Sequence, residues 1–145
     1  MLKRYSSLLV VMAIALACSK DKLETKPSIK IKSVNATELP RQMDLIILLE
    51  FRDKEGDLGN GLLTYLRERL NVYYPALNDL ADSVSNPIPD FPKTSQGEIQ
   101  VVIPADLMDQ NSFQNDTMQF KILVHDLGGN ISDTITTPVI VQLQD

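Results

Sequence analysis

Short apolar runs that alternate with polar residues, each closed by Pro, Gly or Asn, limit what this 145-residue chain can fold into. Ile29-Lys30-Ile31-Lys32-Ser33-Val34 has the two-residue period of a strand with one buried face. Asp44 to Phe51 is apolar through its middle and bounded by charge, as in a central strand of a sandwich. Gly97 to Ile103 alternates again and stops at Pro104, and Met118 to Val124 and Ile135 to Leu143 flank a Gly-Gly-Asn turn. Leu62, Leu63, Leu66 and Leu70 fall at helical spacing, which predicts a short helical turn or irregular segment leading into a strand at Asn71 to Tyr74, ended by Pro75. Asn78 to Ser95 is rich in Asp, Ser, Asn and Pro and predicts a long surface loop.

These segments amount to about seven strands with no strand–helix–strand alternation. The expected fold is therefore all-β, an immunoglobulin-like antiparallel β-sandwich. A single cysteine and no Trp remove the hallmarks of antibody domains without removing the sandwich. From about Ile29 the chain is long enough for one core and too short for two.

The segment ahead of the sandwich points to export. Lys3 and Arg4 precede ten apolar residues, Leu8 to Ala17, which end in small side chains before Cys18. That order is a secretory signal, and its apolar run is about half the roughly 20 residues a bilayer-spanning helix needs. Ala15-Leu16-Ala17-Cys18 resembles a bacterial lipobox, with Ala15 where Leu is usual. The resemblance implies a signal peptide over residues 1–17, a lipidated Cys18 opening a tether over 18–28, and the sandwich over 29–145. Two or more acyl chains, at about 0.8 kcal/mol per buried methylene, hold a protein on a membrane without spanning it. The alternative is a secreted protein whose lone thiol has no disulfide partner in its own chain. The charged run Ser19 to Glu24 resembles the surface-export signal of Bacteroidota lipoproteins, and also suits a solvated tether.

Charge narrows the partners. The net charge of −5 falls to about −7 once Lys3 and Arg4 leave with the leader, and such a surface repels phosphate backbones. Nucleic acid is thereby excluded as a partner. The sparse aromatic content offers no broad sugar-stacking platform.

Two loops carry the candidate chemistry. In Phe51-Arg52-Asp53-Lys54-Glu55-Gly56-Asp57-Leu58-Gly59, the carboxylates of Asp53, Glu55 and Asp57 stand at alternate positions among glycines. Calcium takes six to eight hard oxygen ligands at about 2.3–2.6 Å, which a loop of this kind can supply. An EF-hand is excluded, because its invariant glycine would fall on Leu58 and its last glutamate on Thr64. A polar turn after a buried strand explains the same residues. In the second loop, His125 to Asp133, Asp126 and Asn130 suit a turn closed by side-chain hydrogen bonds. If both loops share one end of the sandwich, Asp126 adds a ligand to the first cluster.

Phe51 to Gly59 resembles the F-x-D-x-D-G-D-L-G signature of small Bacteroidota lipoproteins, with Asp53, Gly56, Asp57, Leu58 and Gly59 matching and Glu55 in place of an aspartate. Ile88 to Pro92, Gly97-Glu98-Ile99, and Asp126 with Gly129 to Ser132 are similar to further parts of that family. The resemblance implies an exported immunoglobulin-like domain; it does not imply an enzyme.

Catalysis finds little material. His125 is the sole histidine, too few for a zinc site with Cys18 lipidated, and Ser132 or Ser112 lies in no nucleophile-elbow pattern. The reading reached from sequence is a non-enzymatic, lipid-anchored outer-membrane lipoprotein, facing the periplasm or the cell surface. It acts as a binding or interaction module for an envelope protein or glycan, with calcium as a stabiliser rather than a required cofactor. The alternatives are a small exported hydrolase and a structural accessory subunit of an outer-membrane complex.

Overall fold

The computed structural model describes residues 25–71, 82–109 and 113–144. Among them, β1 spans Ser28–Val34, β2 Glu38–Leu39, β3 Leu45–Arg52, β4 Leu62–Arg69, β5 Ser83–Pro87 and β6 Gln96–Ile103. A one-turn helix, α1 at Ala105–Met108, precedes β7 at Asp116–His125, β8 at Ile135–Thr136 and β9 at Ile140–Gln142. Seven of these strands are three residues or longer, in line with the number read from the sequence.

The strands form two sheets. One has the order β1-β3-β6; the other runs β2-β9-β7-β4-β5, with β8 against β7. All pairings are antiparallel except β2 with β9, which is parallel. This is the immunoglobulin arrangement: β1, β3 and β6 take the places of strands A, B and E, and β4, β7 and β9 those of C, F and G. No described strand takes the D place beside β6.

The two-residue period decides what faces inward. In β3, Leu45, Ile47, Leu49 and Phe51 are buried while Ile46 and Arg52 face solvent. In β7, Met118, Phe120, Ile122 and Val124 are buried in the same way. Tyr65 of β4 meets Phe120 edge-on at 6.2 Å between ring centres. Each such buried side chain contributes roughly 1.5–3 kcal/mol.

Three sequence expectations are corrected here. Leu62 to Leu70 does not open with a helical turn; Leu62–Arg69 is a strand in the middle of its sheet, between β5 and β7. The helical spacing misleads because Leu62 and Leu66 point to solvent, while Leu63, Tyr65 and Arg67 fill the inward face. Arg67 is 3 % exposed, and its guanidinium bonds Asp82 and the Leu107 carbonyl oxygen. The segment Asn78 to Ser95 is not all loop, since it contains β5, an edge strand of mostly exposed residues. Ile135 to Leu143 holds two short strands separated by Thr137, Pro138 and Val139. The strand expected at Asn71 to Tyr74 lies mainly outside the described residues, as does Cys18 with the leader.

Leu62 at the start of β4 pairs with His125 at the end of β7. The loop entering β4 and the loop leaving β7 therefore share one end of the sandwich.

Candidate metal centre

Asp53 is the first residue beyond β3 and continues its inward phase, leaving it 1 % exposed. The chain then turns: the Gly56 N–H donates to the Asp53 carbonyl oxygen at 3.1 Å, and Gly56 adopts φ +66°, which glycine tolerates without steric cost. The Asp53 carboxylate holds this turn from inside. Its Oδ1 accepts from the Glu55 N–H at 3.2 Å and its Oδ2 from the Asp57 N–H at 2.9 Å. Leu58 is fully buried and pins the loop to the core.

Asp126, 5 % exposed, organises the second loop by the same chemistry. Its Oδ1 accepts from the Asn130 N–H at 2.7 Å, and its Oδ2 from the Asn130 side-chain amide at 2.9 Å. The Gly129 N–H closes the turn onto the Asp126 carbonyl oxygen at 3.3 Å, with Gly129 at φ +85°. The Leu127 N–H donates to the Asp57 carbonyl oxygen at 3.2 Å, which stitches the two loops together.

This folding brings carboxylate oxygens of Asp53, Asp57 and Asp126 within 4.8 Å of one another. Two ligands held 2.3–2.6 Å from one calcium ion stand at most about 5 Å apart, so the spacing fits a shared cation. Asp53 and Asp126 have backbone or amide donors on both oxygens; Asp57 Oδ1 is shielded from solvent and has no hydrogen-bond partner. Burial raises the Asp57 carboxyl above the usual carboxylate range, and repulsion from Asp126 and then Asp53 adds to the shift. A divalent cation answers all three conditions: the missing partner, the burial and the like charge.

Glu55 is not part of the cluster. It sits at the third position of the Asp53–Gly56 turn with its side chain exposed, so alternation along the sequence is not convergence in space. Gly128 was not singled out from the sequence, yet a Cβ there would lie 3.3 Å from Asp126 Oδ1 and 3.4 Å from Asp57 Oδ2. Only its closeness to Asp126 in the chain hints at this.

The residues weighed for catalysis have structural positions. His125 faces outward at the end of β7, opposite Leu62. The Ser132 hydroxyl accepts from the Val124 N–H at 3.0 Å and donates to the Asp133 carbonyl oxygen at 2.9 Å. Ser112 lies outside the described residues.

No protein-family model matches the sequence, and no curated protein matches it. Among solved structures, it is similar in shape to a protein assigned to the late embryogenesis abundant (LEA) class, at 14 % identity and a TM-score of 0.47, over 96 % of this chain and 85 % of that one. It is also similar to a cohesin module from a Clostridium perfringens family 33 glycoside hydrolase, at 15 % identity and a TM-score of 0.44, over 83 % of this chain and 99 % of that one. Likeness at this level says nothing of ligand or partner.

Proposed function

We propose that this chain is an exported, lipid-anchored, non-catalytic binding module whose loop end is ordered by a calcium ion. Asp53, Asp57 and Asp126 hold the ion, and water completes its shell. The observation that carries the metal reading is the buried, unpartnered Oδ1 of Asp57 inside a cluster of three carboxylates. Calcium here works as a staple between the loop after β3 and the loop after β7. The anchor rests on the leader and on Cys18.

Two experiments test the two halves separately. Thermal unfolding in millimolar calcium and in chelator must differ, because binding to the native state raises stability by mass action; equal melting temperatures reduce the cluster to a pair of turns. Incorporation of labelled palmitate must vanish in Cys18→Ser, and persistence of the label removes the anchor.

A further inference from the structure

Among the described residues, four strands end the main paths of the two sheets, and three of them are guarded against pairing with another chain, as is the two-residue β8 that lies off the path. β1 carries Lys30 and Lys32 and an irregularity between Ile31 and Ser33. β2 is two residues long. β5 is five residues long and ends at Pro87. Short length, lysines, irregular register and proline are the usual means of blunting an edge.

β6 has none of them. It is eight residues long, pairs among the described residues only with β3, and contains neither lysine nor proline. Its one charge, Glu98, is paired with Lys32 on the outer face of the sheet. Beyond its free edge runs an apolar groove whose opposite wall is β5. Two adjoining hollows of about 270 and 530 Å³, both lined by Asn86 and Val102, make up this groove. Tyr65, Ile88 and Ile99 supply apolar surface along it, and Val102, on the outer face of β6 like Glu98 and 44 % exposed, borders it where the two hollows meet.

We infer that β6 is a strand-addition site, and that its occupant is an extended segment of another polypeptide, seated in the D place that no described strand fills. The N–H and C=O groups on the outer edge of β6, apart from those of Gln96 that meet the Thr94 hydroxyl, specify a strand, since only an extended backbone matches their spacing. The groove specifies apolar residues at alternate positions of that strand, and Asp106 at one end favours a basic flank. A second copy of this domain fits poorly. Facing sheets stand about 10 Å apart, which admits one strand beside β6 and against β5 but not the two-sheet edge of another sandwich. The inference rests on the binding-module reading and is independent of the metal, because the groove and the carboxylate cluster share no residue.

The test is selection of a displayed random twelve-residue peptide library on the purified chain, once in calcium and once in chelator, followed by titration of the synthetic consensus peptide. The expected result is enrichment of sequences alternating apolar and polar residues in both conditions. The consensus peptide should bind at least tenfold more weakly to Val102→Lys. It should also lose at least tenfold when its alternate backbone nitrogens are methylated, a control that uses the unaltered protein. The inference is overturned by no enrichment, by equal binding of the methylated peptide, or by sedimentation showing a dimer that Val102→Lys dissolves. Enrichment in calcium alone overturns its independence from the metal while leaving the metal reading intact.

Discussion

Asp57→Asn keeps the shape of the side chain and removes one of three charges. Ligand oxygens of Asp53, Asp57 and Asp126 lie within 4.8 Å of each other. Two unit charges at that distance repel by about 3.5 kcal/mol at an effective dielectric of ~20, and by somewhat under ~1 kcal/mol in bulk water. Asp57 keeps part of its surface in solvent, so the lower end applies, roughly 1 kcal/mol or less for each neighbour. In chelator, then, Asp57→Asn stabilises the domain by about 1–2 kcal/mol. In a domain of this size that raises the melting temperature by roughly 3–8 °C. Calcium reverses the order. At a hundredfold excess over its dissociation constant it gives the wild type about 2.7 kcal/mol, and the variant, with a poorer ligand set, gains less. A variant that melts no higher than wild type in chelator, or gains as much from calcium, refutes the electrostatic reasoning.

The same carboxylate fixes a pH signature. Because the native-state pKa of Asp57 is raised, the folded protein holds this proton over a window where the unfolded chain has released it. Its contribution to stability therefore falls as pH rises from the usual carboxylate range through the raised value, and the cost is fully present only above that value. Subtracting the Asp57→Asn curve from the wild-type curve in chelator isolates this term, and the difference should close towards acid pH.

Gly128→Ala places a methyl against both Asp126 and Asp57. It should weaken calcium binding by up to about tenfold, or ~1.4 kcal/mol, with no ligand removed, as read by calorimetric titration. Gly61→Ala drives a Cβ onto the carbonyl oxygen of His125 and to 2.8 Å from that of Leu58. Denaturant unfolding should show a loss of about 1–3 kcal/mol or more, since backbone on both sides leaves no room to relax. Ser132→Ala leaves the Val124 N–H without its acceptor in a buried setting, and should cost about 1–2 kcal/mol by the same assay.

The strands whose inward face is mainly apolar were legible in the sequence. Burial alternates along β3 and β7 without exception, and apolar residues fill the inward positions of both apart from Asp116 at the start of β7. β4 was not legible, because Arg67 occupies an inward position that a leucine would normally take, while Leu62 and Leu66 lie on the solvent face. β5 was hidden for a different reason. An edge strand with one neighbour needs little hydrophobicity, and Ser83 to Pro87 has the composition of a loop. At the candidate site, Asp53, Asp57 and Asp126 were visible as residue types in turn-forming contexts. Glu55 was misread because alternation along a loop says nothing of direction once the chain turns at Gly56.

Where the tether leaves the domain sets how the two proposed sites present themselves. Thr25 donates to the Asn130 side-chain oxygen at 3.4 Å, and Lys26 pairs with Asp133, so the chain enters beside the loop that carries Asp126. On the proposed anchor, Thr25 lies seven positions beyond Cys18, a reach of at most about 25 Å. The carboxylate end then faces the bilayer. β6 starts at that same end, since the Asp53 N–H bonds the Ser95 carbonyl oxygen at 2.9 Å, and runs away from it towards Pro104. The half of the free edge that holds Gln100 to Ile103, with Val102 where the two hollows of the groove meet, therefore stands furthest from the membrane. On the proposed reading, a strand arriving from a partner protein meets that half first, and a metal at the opposite end would act on how the domain is held rather than on what it captures.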